Sequence, residues 1–471
     1  MVVEELGSAG ELREENEDIA ELYSGFSAAT CSRSWRLSFF ARRIKRCGDI
    51  SKATGDEFLG YAIIKADDVP SLGKSFRVYE SVIRASRHQH NCIHGAPACT
   101  CRIAGCEFEI EGYPYAQQNG ITNSCAHVSL RTATARFNPL SFRRMNEIAR
   151  VRGRERRLDS KQLEAIVEES GARWYTLDLV QKPPDELFHK YIYGSIESGY
   201  PAIVLISPAR SGELHALPIF GHTFSEDTWV PRAESSYFRV GAQTSYISSE
   251  AWLSMYIGHD DNWGSNFCIP RGYLRARRQC QKLGGNPLCP LEEERFSNVM
   301  ATFPVGTEMS SVRAEVIGAD YLFTILPQMP QYAGRWGQRL QEYAGDNLLV
   351  LRPVLIGLRQ YAAHLAKVRS WSWECVGERI VRDLEHAPDH KLWMVELSVP
   401  ELFSANRRKV GEVLLWAEKP AGSKRDFRSF AFARLPGCLA FYDGGGANMP
   451  RYNFFPTGVV GHVELFGCED P

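Results

Sequence analysis

The segment from Tyr200 to Phe220 constrains this 471-residue chain most. Tyr200-Pro201-Ala202-Ile203-Val204-Leu205-Ile206-Ser207 is a short apolar run rich in β-branched residues, which predicts a buried strand. A polar turn from Pro208 to Gly212 follows, and then the apolar run Leu214-His215-Ala216-Leu217-Pro218-Ile219-Phe220. Two such runs joined by a short turn predict a hairpin, with His215 at the start of its second strand. Upstream, Pro184-Asp185-Glu186-Leu187-Phe188 opens a helix that runs through Ile192 and Ile196 and closes at Gly199.

Two other segments carry residues that could work with His215. The first is Gln117-Gln118-Asn119-Gly120-Ile121-Thr122-Asn123-Ser124-Cys125-Ala126-His127. Its turn-prone middle gives way to a stretch free of Gly and Pro up to Pro139, so a helix begins near Cys125, capped by Asn123 or Ser124. A helix N-terminus and a nearby imidazolium both favour a thiolate, the form in which cysteine attacks carbonyls. The second segment is His259-Asp260-Asp261-Asn262-Trp263-Gly264, just after an apolar run. Asp260 or Asp261 would hold the second ring nitrogen of His215 and fix its tautomer. Gln118, with the Cys125 backbone N–H, would meet a developing oxyanion; Gln117 is the other amide that could do so. Amide, Cys, His and Asp are the parts of a thiol acyl-transfer site.

The order and strand context of these motifs resemble papain-like cysteine peptidases, and in particular the bacterial C39-like branch. The resemblance covers residues 110 to 275. It rests on a Gln upstream of a helix-capping Cys, a Gly-x-Pro-Ala-Ile-Val strand, a His-Ala-Leu-x-Ile-x-Gly-His strand and an Asp-x-x-x-Gly segment. It implies a papain-like core and a cysteine hydrolase that cleaves a peptide, isopeptide or other amide bond. Cys125 would be the nucleophile, His215 the base and acid, Asp260 the third residue and Gln118 the oxyanion donor. It implies a protein or peptide substrate and no metal or cofactor. The span from His215 to Asp260 is longer than in the family and implies an inserted hairpin over Phe224–Ser249. The same Cys–His pair also suits a transglutaminase or acyltransferase, with Asp227 as third member. A catalytically inactive papain-like scaffold or binding protein is the remaining alternative.

Other polar clusters have plainer readings. His127, two residues into its helix, points away from the Cys125 side. His222, at an odd offset from His215 on the strand, faces the opposite side. His88, His90, Cys92, His94, Cys99, Cys101 and Cys106 crowd together, but their paired spacings are tighter than those of zinc fingers and ribbons. They are expected as reduced residues in a strand pair. Arg152, Arg154, Arg156 and Arg157 form a basic run, expected as a solvated loop, and 55 basic against 56 acidic residues give no support to nucleic-acid binding.

The whole is expected to be α+β: a papain-like core flanked by a mostly β N-terminal region and an α+β C-terminal domain. Residues 1–30, Gly- and Glu-rich, are expected as a mobile segment with a helical turn at Asp18–Tyr23. Residues 31–110 read as mostly strand, 111–290 as the catalytic domain, with a boundary at Pro287–Pro290, and 291–471 as the last domain. There Val312 to Leu326 reads as strand, and Gly334–Ala344 and Val354–Val368 as helices. Leu392–Val399 and Lys409–Ala417 read as strands, before an aromatic tail that packs. No apolar stretch reaches membrane-spanning length. Thirteen scattered cysteines are not a disulfide framework, and they fit a reducing, cytoplasmic setting.

Overall fold

The computed structural model describes residues 1–84, 91–151, 158–179, 188–208, 214–226, 238–240, 245–274, 294–368, 388–418, 429–446, 449–458 and 462–468. The architecture mixes α and β throughout. The chain divides into two compact units. The first is Met1–Phe188, Gly199–His222 and Met255–Val305; the second is His189–Ser198, Thr223–Ser254 and Gly306–Pro471.

The first unit opens with a four-stranded antiparallel sheet: β1 (Val2–Leu6), β2 (Ser32–Phe40), β3 (Phe58–Val69) and β4 (Gly73–Ile83). The N-terminal thirty residues are therefore built into the fold, not a loose lead-in. The expected turn at Asp18–Tyr23 is the end of a longer helix, α1 (Gly10–Leu22), followed by the single turn α2 (Ala28–Cys31). The acidic composition is misleading because Glu15 is buried and paired: its carboxylate takes Lys65 Nζ at 2.7 Å and also Arg77. Ile19, Tyr23 and Phe26 pack with Val69 beneath it.

Next come β5 (Asn91–Cys92) and a separate hairpin of β6 (Ala98–Ile103) and β7 (Cys106–Glu111). Cys101 is buried in a core with Phe40, Phe58 and Phe108, and Cys99 and Cys106 pack against it. The hydroxyl of Tyr61 lies 3.6 Å from Cys99 Sγ.

Three helices follow: α3 (Cys125–Ala133), α4 (Phe142–Ala149) and α5 (Ser160–Glu169). The start of α5 is set by the capping pair Asp159 and Gln162. The Asp159 carboxylate accepts from the Gln162 backbone N–H at 2.9 Å, and the Gln162 side chain accepts from the Asp159 N–H at 2.8 Å. These helices pack one core with Ile203, Ala216 and Met300 of the central sheet.

That central sheet holds β8 (Ala172–Asp178), β9 (Ala202–Pro208) and β10 (His215–Phe224). Helix α6 (His189–Glu197), which precedes β9, belongs to the second unit, as do β11 (Phe238–Val240) and β12 (Ser245–Ser248). The chain returns to the central sheet with β13 (Leu253–Asp260), β14 (Gly264–Pro270) and β15 (Glu294–Pro304). Strand order is β14-β13-β10-β9-β15-β8, with β5 added beside β10. The expected hairpin is present: His215 pairs with Ile206 and Ile219 with Ala202, antiparallel. β15 lies beyond the boundary expected near residue 290, yet it sits between β9 and β8. Pairing between distant strands leaves no local mark, so a composition break placed this limit too early.

The second unit is built on an eight-stranded sheet, ordered β11-β12-β16-β17-β19-β20-β21-β22. Its remaining strands are β16 (Val350–Gly357), β17 (Lys391–Ser398), β18 (Arg408–Lys409), β19 (Gly411–Trp416), β20 (Phe430–Leu435), β21 (Cys438–Gly446), β22 (Met449–Pro456) and β23 (Val463–Glu464). Its remaining helices are α7 (Ser311–Ile325), α8 (Gly334–Gly345), α9 (Leu358–Lys367) and α10 (Pro400–Asn406).

Two sequence expectations are corrected here. Val312–Leu326 is helix α7, not strand. Ser310 caps it by accepting the Arg313 N–H at 3.3 Å, and Val312, Glu315, Ala319 and Leu322 fall on one buried stripe. Gly318 is where α7 meets the sheet: an added Cβ would lie 2.7 Å from Val395 Cγ2. The expected helix Val354–Val368 is strand up to Gly357 and helix only from Leu358. A fully buried strand shows no alternation, so the two elements ran together as one apolar segment. Among the described residues, no helix is long and apolar enough to cross a membrane.

Candidate functional site

The site forms where α3 meets β10. Ser124 is the extended residue before α3, and His127 reaches back to it. His127 Nδ1 lies 3.2 Å from the Ser124 backbone N–H and 2.9 Å from its Oγ. A backbone N–H can only donate, so Nδ1 accepts and Nε2 carries the proton, facing Asn146 Oδ1 at 3.1 Å. His127 is thus a buried brace for the start of α3 rather than a reacting group.

One turn further along α3, Ser129 Oγ donates to the Ala216 carbonyl on β10 at 2.8 Å. Residues four apart share a helix face. This anchor therefore sets Cys125 beside the first residues of β10. Cys125 Sγ lies 3.8 Å from the Leu214 carbonyl oxygen, and the thiol is hydrogen-bonded to the His215 imidazole.

The other side of the imidazole faces two carboxylates. His215 Nε2 is 3.3 Å from Asp260 Oδ1 and 3.4 Å from Asp261 Oδ1. Ionised carboxylates only accept, so Nε2 carries a proton, which leaves Nδ1 for the thiol. Asp260 Oδ1 also accepts the backbone N–H groups of Asn262 at 2.8 Å and Trp263 at 3.3 Å, a short turn that locks the carboxylate in place. Gly264 ends this turn at φ +126°, where a side chain would be strained, and Gly258 lets β13 approach β10 so closely that a Cβ would lie 2.5 Å from the Pro218 carbonyl oxygen.

The electrostatics separate the two acids. Burial would lower the His215 pKa. Hydrogen bonds to Asp260 and Cys125, and the charge of Asp261, outweigh burial and raise it to about 10. Protonated His215 therefore adds stability that is complete below its ordinary value and is lost as pH rises through about 10. Burial would raise Asp260, but its bond to His215 and its backbone donors hold it below the usual carboxylate range. Asp261 goes the other way. Burial pushes it up to about 6, with His215 opposing and Asp260 reinforcing.

A raised carboxyl pKa adds stability that is complete below the unfolded value and is lost as pH rises through about 6. Asp261→Asn is therefore expected to stabilise the protein at pH 8 by on the order of 1–3 kcal/mol, with the gain vanishing near pH 4. Urea unfolding at the two pH values checks this. An equal effect at both would mean that the charge is not the cause.

The two candidate amides part company as well. Gln118 is exposed, and Gln117 is drawn into the site. The stretch from Tyr115 to Gln117 is laid against β4: Ser81 and Tyr115 exchange two 2.8 Å backbone bonds, and the Gln117 N–H donates to the Val78 carbonyl at 2.9 Å. The Gln117 side chain accepts from the Val78 N–H at 2.7 Å and donates Nε2 to the Asp261 carbonyl at 3.4 Å. The Tyr115 hydroxyl bonds to Gln117. Its pKa is raised to about 12 by burial and then by the charges of Asp261 and Asp260. Tyr115 carries no motif signal in the sequence; only its place at the head of the Gln117 segment hints at a role.

His259, next to Asp260, is not part of the reacting set. Its Nε2 faces the Tyr113 carbonyl at 3.2 Å, its Nδ1 accepts the Asn266 N–H at 3.1 Å, and burial lowers its pKa to about 4. His222 is fully buried on β10. Trp263 is 73% exposed and stacks on Phe267, leaving an aromatic pair on the surface after the Asp260 turn. Asp227, His88, His90, the basic run Arg152–Arg157, the Pro287–Pro290 boundary and most of the Phe224–Ser249 insertion lie outside the described residues. Among those described, the group of side chains that could share a metal is His215, Asp260 and Asp261, not the cysteines of β6 and β7. Compared with family models, curated proteins and solved structures, the chain matches none.

Proposed function

We propose that the chain is a papain-like cysteine hydrolase acting on a peptide, isopeptide or other amide bond. The observation that carries this is His215 held between the Cys125 thiol on one side and the Asp260 carboxylate on the other. A nucleophile, a base in contact with it and an acid that orients the base make up an acyl-transfer unit.

Cys125 transfers its proton to His215 and attacks the scissile carbonyl. The tetrahedral oxyanion meets the backbone N–H of Cys125 at the N-terminus of α3 and a side-chain amide. Gln118 is the amide assigned from the sequence. Gln117 is the better supported, because its Nε2 already lies at the site. His215 then protonates the leaving amine, and an acyl-thioester remains on Cys125. Water, deprotonated by His215, releases the acid and restores the thiol. Asp260 keeps the imidazole aligned through both half-reactions. A protein or peptide is the proposed substrate class, and the described cysteines, all free thiols, favour a reducing, cytoplasmic setting.

Iodoacetamide alkylation of Cys125, followed by peptide mass spectrometry from pH 4 to 9, tests the pairing. Wild type is expected to react quickly even at the acidic end, and His215→Ala to lose that reactivity by at least about tenfold. Identical profiles in the two proteins would discard the catalytic reading.

A further inference from the structure

Asp261 carries a second message. Its side chain is 1% exposed, and neither carboxylate oxygen has a hydrogen-bond partner beyond the residue's own backbone N–H. A buried carboxylate left this way is costly unless a positive charge serves it. Among the described residues, the cation within reach is the Nε2–H of His215, at 3.4 Å, and that proton is shared with Asp260 at 3.3 Å. One proton cannot serve two carboxylates fully, whereas a doubly charged ion can.

We propose that His215, Asp260 and Asp261 bind one zinc-class divalent ion, and that the ion silences Cys125 by occupying His215. The binding stands on geometry; the silencing rests on the function proposed above. Zinc binds imidazole nitrogen and carboxylate oxygen at about 2.0–2.1 Å, and a tetrahedral arrangement at that radius sets neighbouring donors about 3.3 Å apart. The separations from Nε2 to the two carboxylates are 3.3 and 3.4 Å, and all three donor atoms lie within 4.8 Å of one another. Two carboxylates and an imidazole are too few oxygen donors for calcium or magnesium, and the nitrogen favours a zinc-class ion. Asp260 is pre-positioned by two backbone donors, and His215, 20% exposed, gives the ion an entry edge. The neighbouring His259 does not compete, because both of its nitrogens are engaged.

The exchange balances. The Nε2–H bond of the imidazolium breaks, the zinc–nitrogen bond forms, and the proton passes to solvent. The remaining ring proton stays on Nδ1, and the ring held by the ion can neither take a proton from water nor readily give this one to a leaving amine. Turnover stops while the ion is bound.

Cobalt(II) titration of the metal-free full chain, followed by displacement with zinc, tests the site. One equivalent is expected to give visible d–d absorption without the intense near-ultraviolet band of thiolate-bound cobalt. Asp261→Asn should weaken it at least tenfold, and Cys125→Ala should leave it intact. A spectrum of thiolate-bound cobalt alone, or unchanged affinity in Asp261→Asn, overturns the site. Zinc is also expected to slow steady-state turnover of an activated ester such as p-nitrophenyl acetate at least tenfold in wild type but not in Asp261→Asn. Full turnover with zinc bound overturns the silencing. If alkylation ignores His215 even without metal, the hydrolase reading fails, and the cobalt spectrum still decides the ion site.

Discussion

Cys125→Ala is expected to lose acyl transfer by about a thousandfold or more while changing stability by less than about 0.5 kcal/mol. The thiol is partly exposed at the first position of α3, and alanine suits that helix, so the fold has little to lose. What disappears is the atom that forms the thioester. An activated ester such as p-nitrophenyl acetate gives the measurement: a burst of p-nitrophenol, with one acetyl group on the peptide carrying Cys125. His215→Ala should slow the burst by about 10²–10⁴-fold, the range for losing a positioned base. Asp260→Ala should fall on the order of a hundredfold, because the ring loses the acceptor that orients it. A full burst in Cys125→Ala would place the chemistry elsewhere and return Cys125 to the status of a helix-start residue.

The elements nearest the site were the most legible in the sequence. The hairpin at Tyr200–Phe220 declared itself because two apolar runs flank a polar turn. α5 did so because Asp159 and Gln162 mark its start and Gly171 its end. Cys125, His215 and Asp260 were readable as types in a fixed order, and the fold brings them together. Choosing between Gln117 and Gln118 was beyond sequence, since the choice depends on Val78 and Asp261, far away in the chain. The burial of Glu15 was equally invisible: its partners Lys65 and Arg77 sit on strands that pair much later. α7 misled because Val312, Val316 and Ile317 raise strand propensity, whereas the Ser310 cap and the burial stripe decide for helix. Local pattern records local physics; pairings between distant residues leave almost no local trace.

Glu412→Ala is expected to cost the second unit about 3–5 kcal/mol, the loss typical of stranding buried charge. Four charged residues lie in register across neighbouring strands: Arg352 on β16 faces Glu396 on β17, Glu396 faces Glu412 on β19, and Glu412 faces Arg434 on β20. Lys409 closes the row, with Nζ 2.7 Å from Glu396 and 3.3 Å from Glu412. The Arg434 fork meets Glu412 bidentately, with one contact at 2.6 Å, and the Tyr361 hydroxyl donates to the same carboxylate at 2.9 Å. All of these groups are buried. Removing Glu412 takes from Arg434 its bidentate carboxylate, from Lys409 the second of its two carboxylates and from Tyr361 its bond, so the penalty is larger than that of one lost contact. Burial would raise the Glu412 pKa, but Arg434 and Lys409 outweigh it and hold it down to about 2. A lowered carboxyl pKa gives stability that is present above the unfolded value near 4.5 and lost as pH falls toward about 2. Glu412→Gln should therefore be less stable than wild type at pH 7, and the gap should narrow on acidification. Urea unfolding at pH 7 and pH 3 reads both effects. A Glu412→Ala protein as stable as wild type would mean that the row of charges settles register without holding the sheet together.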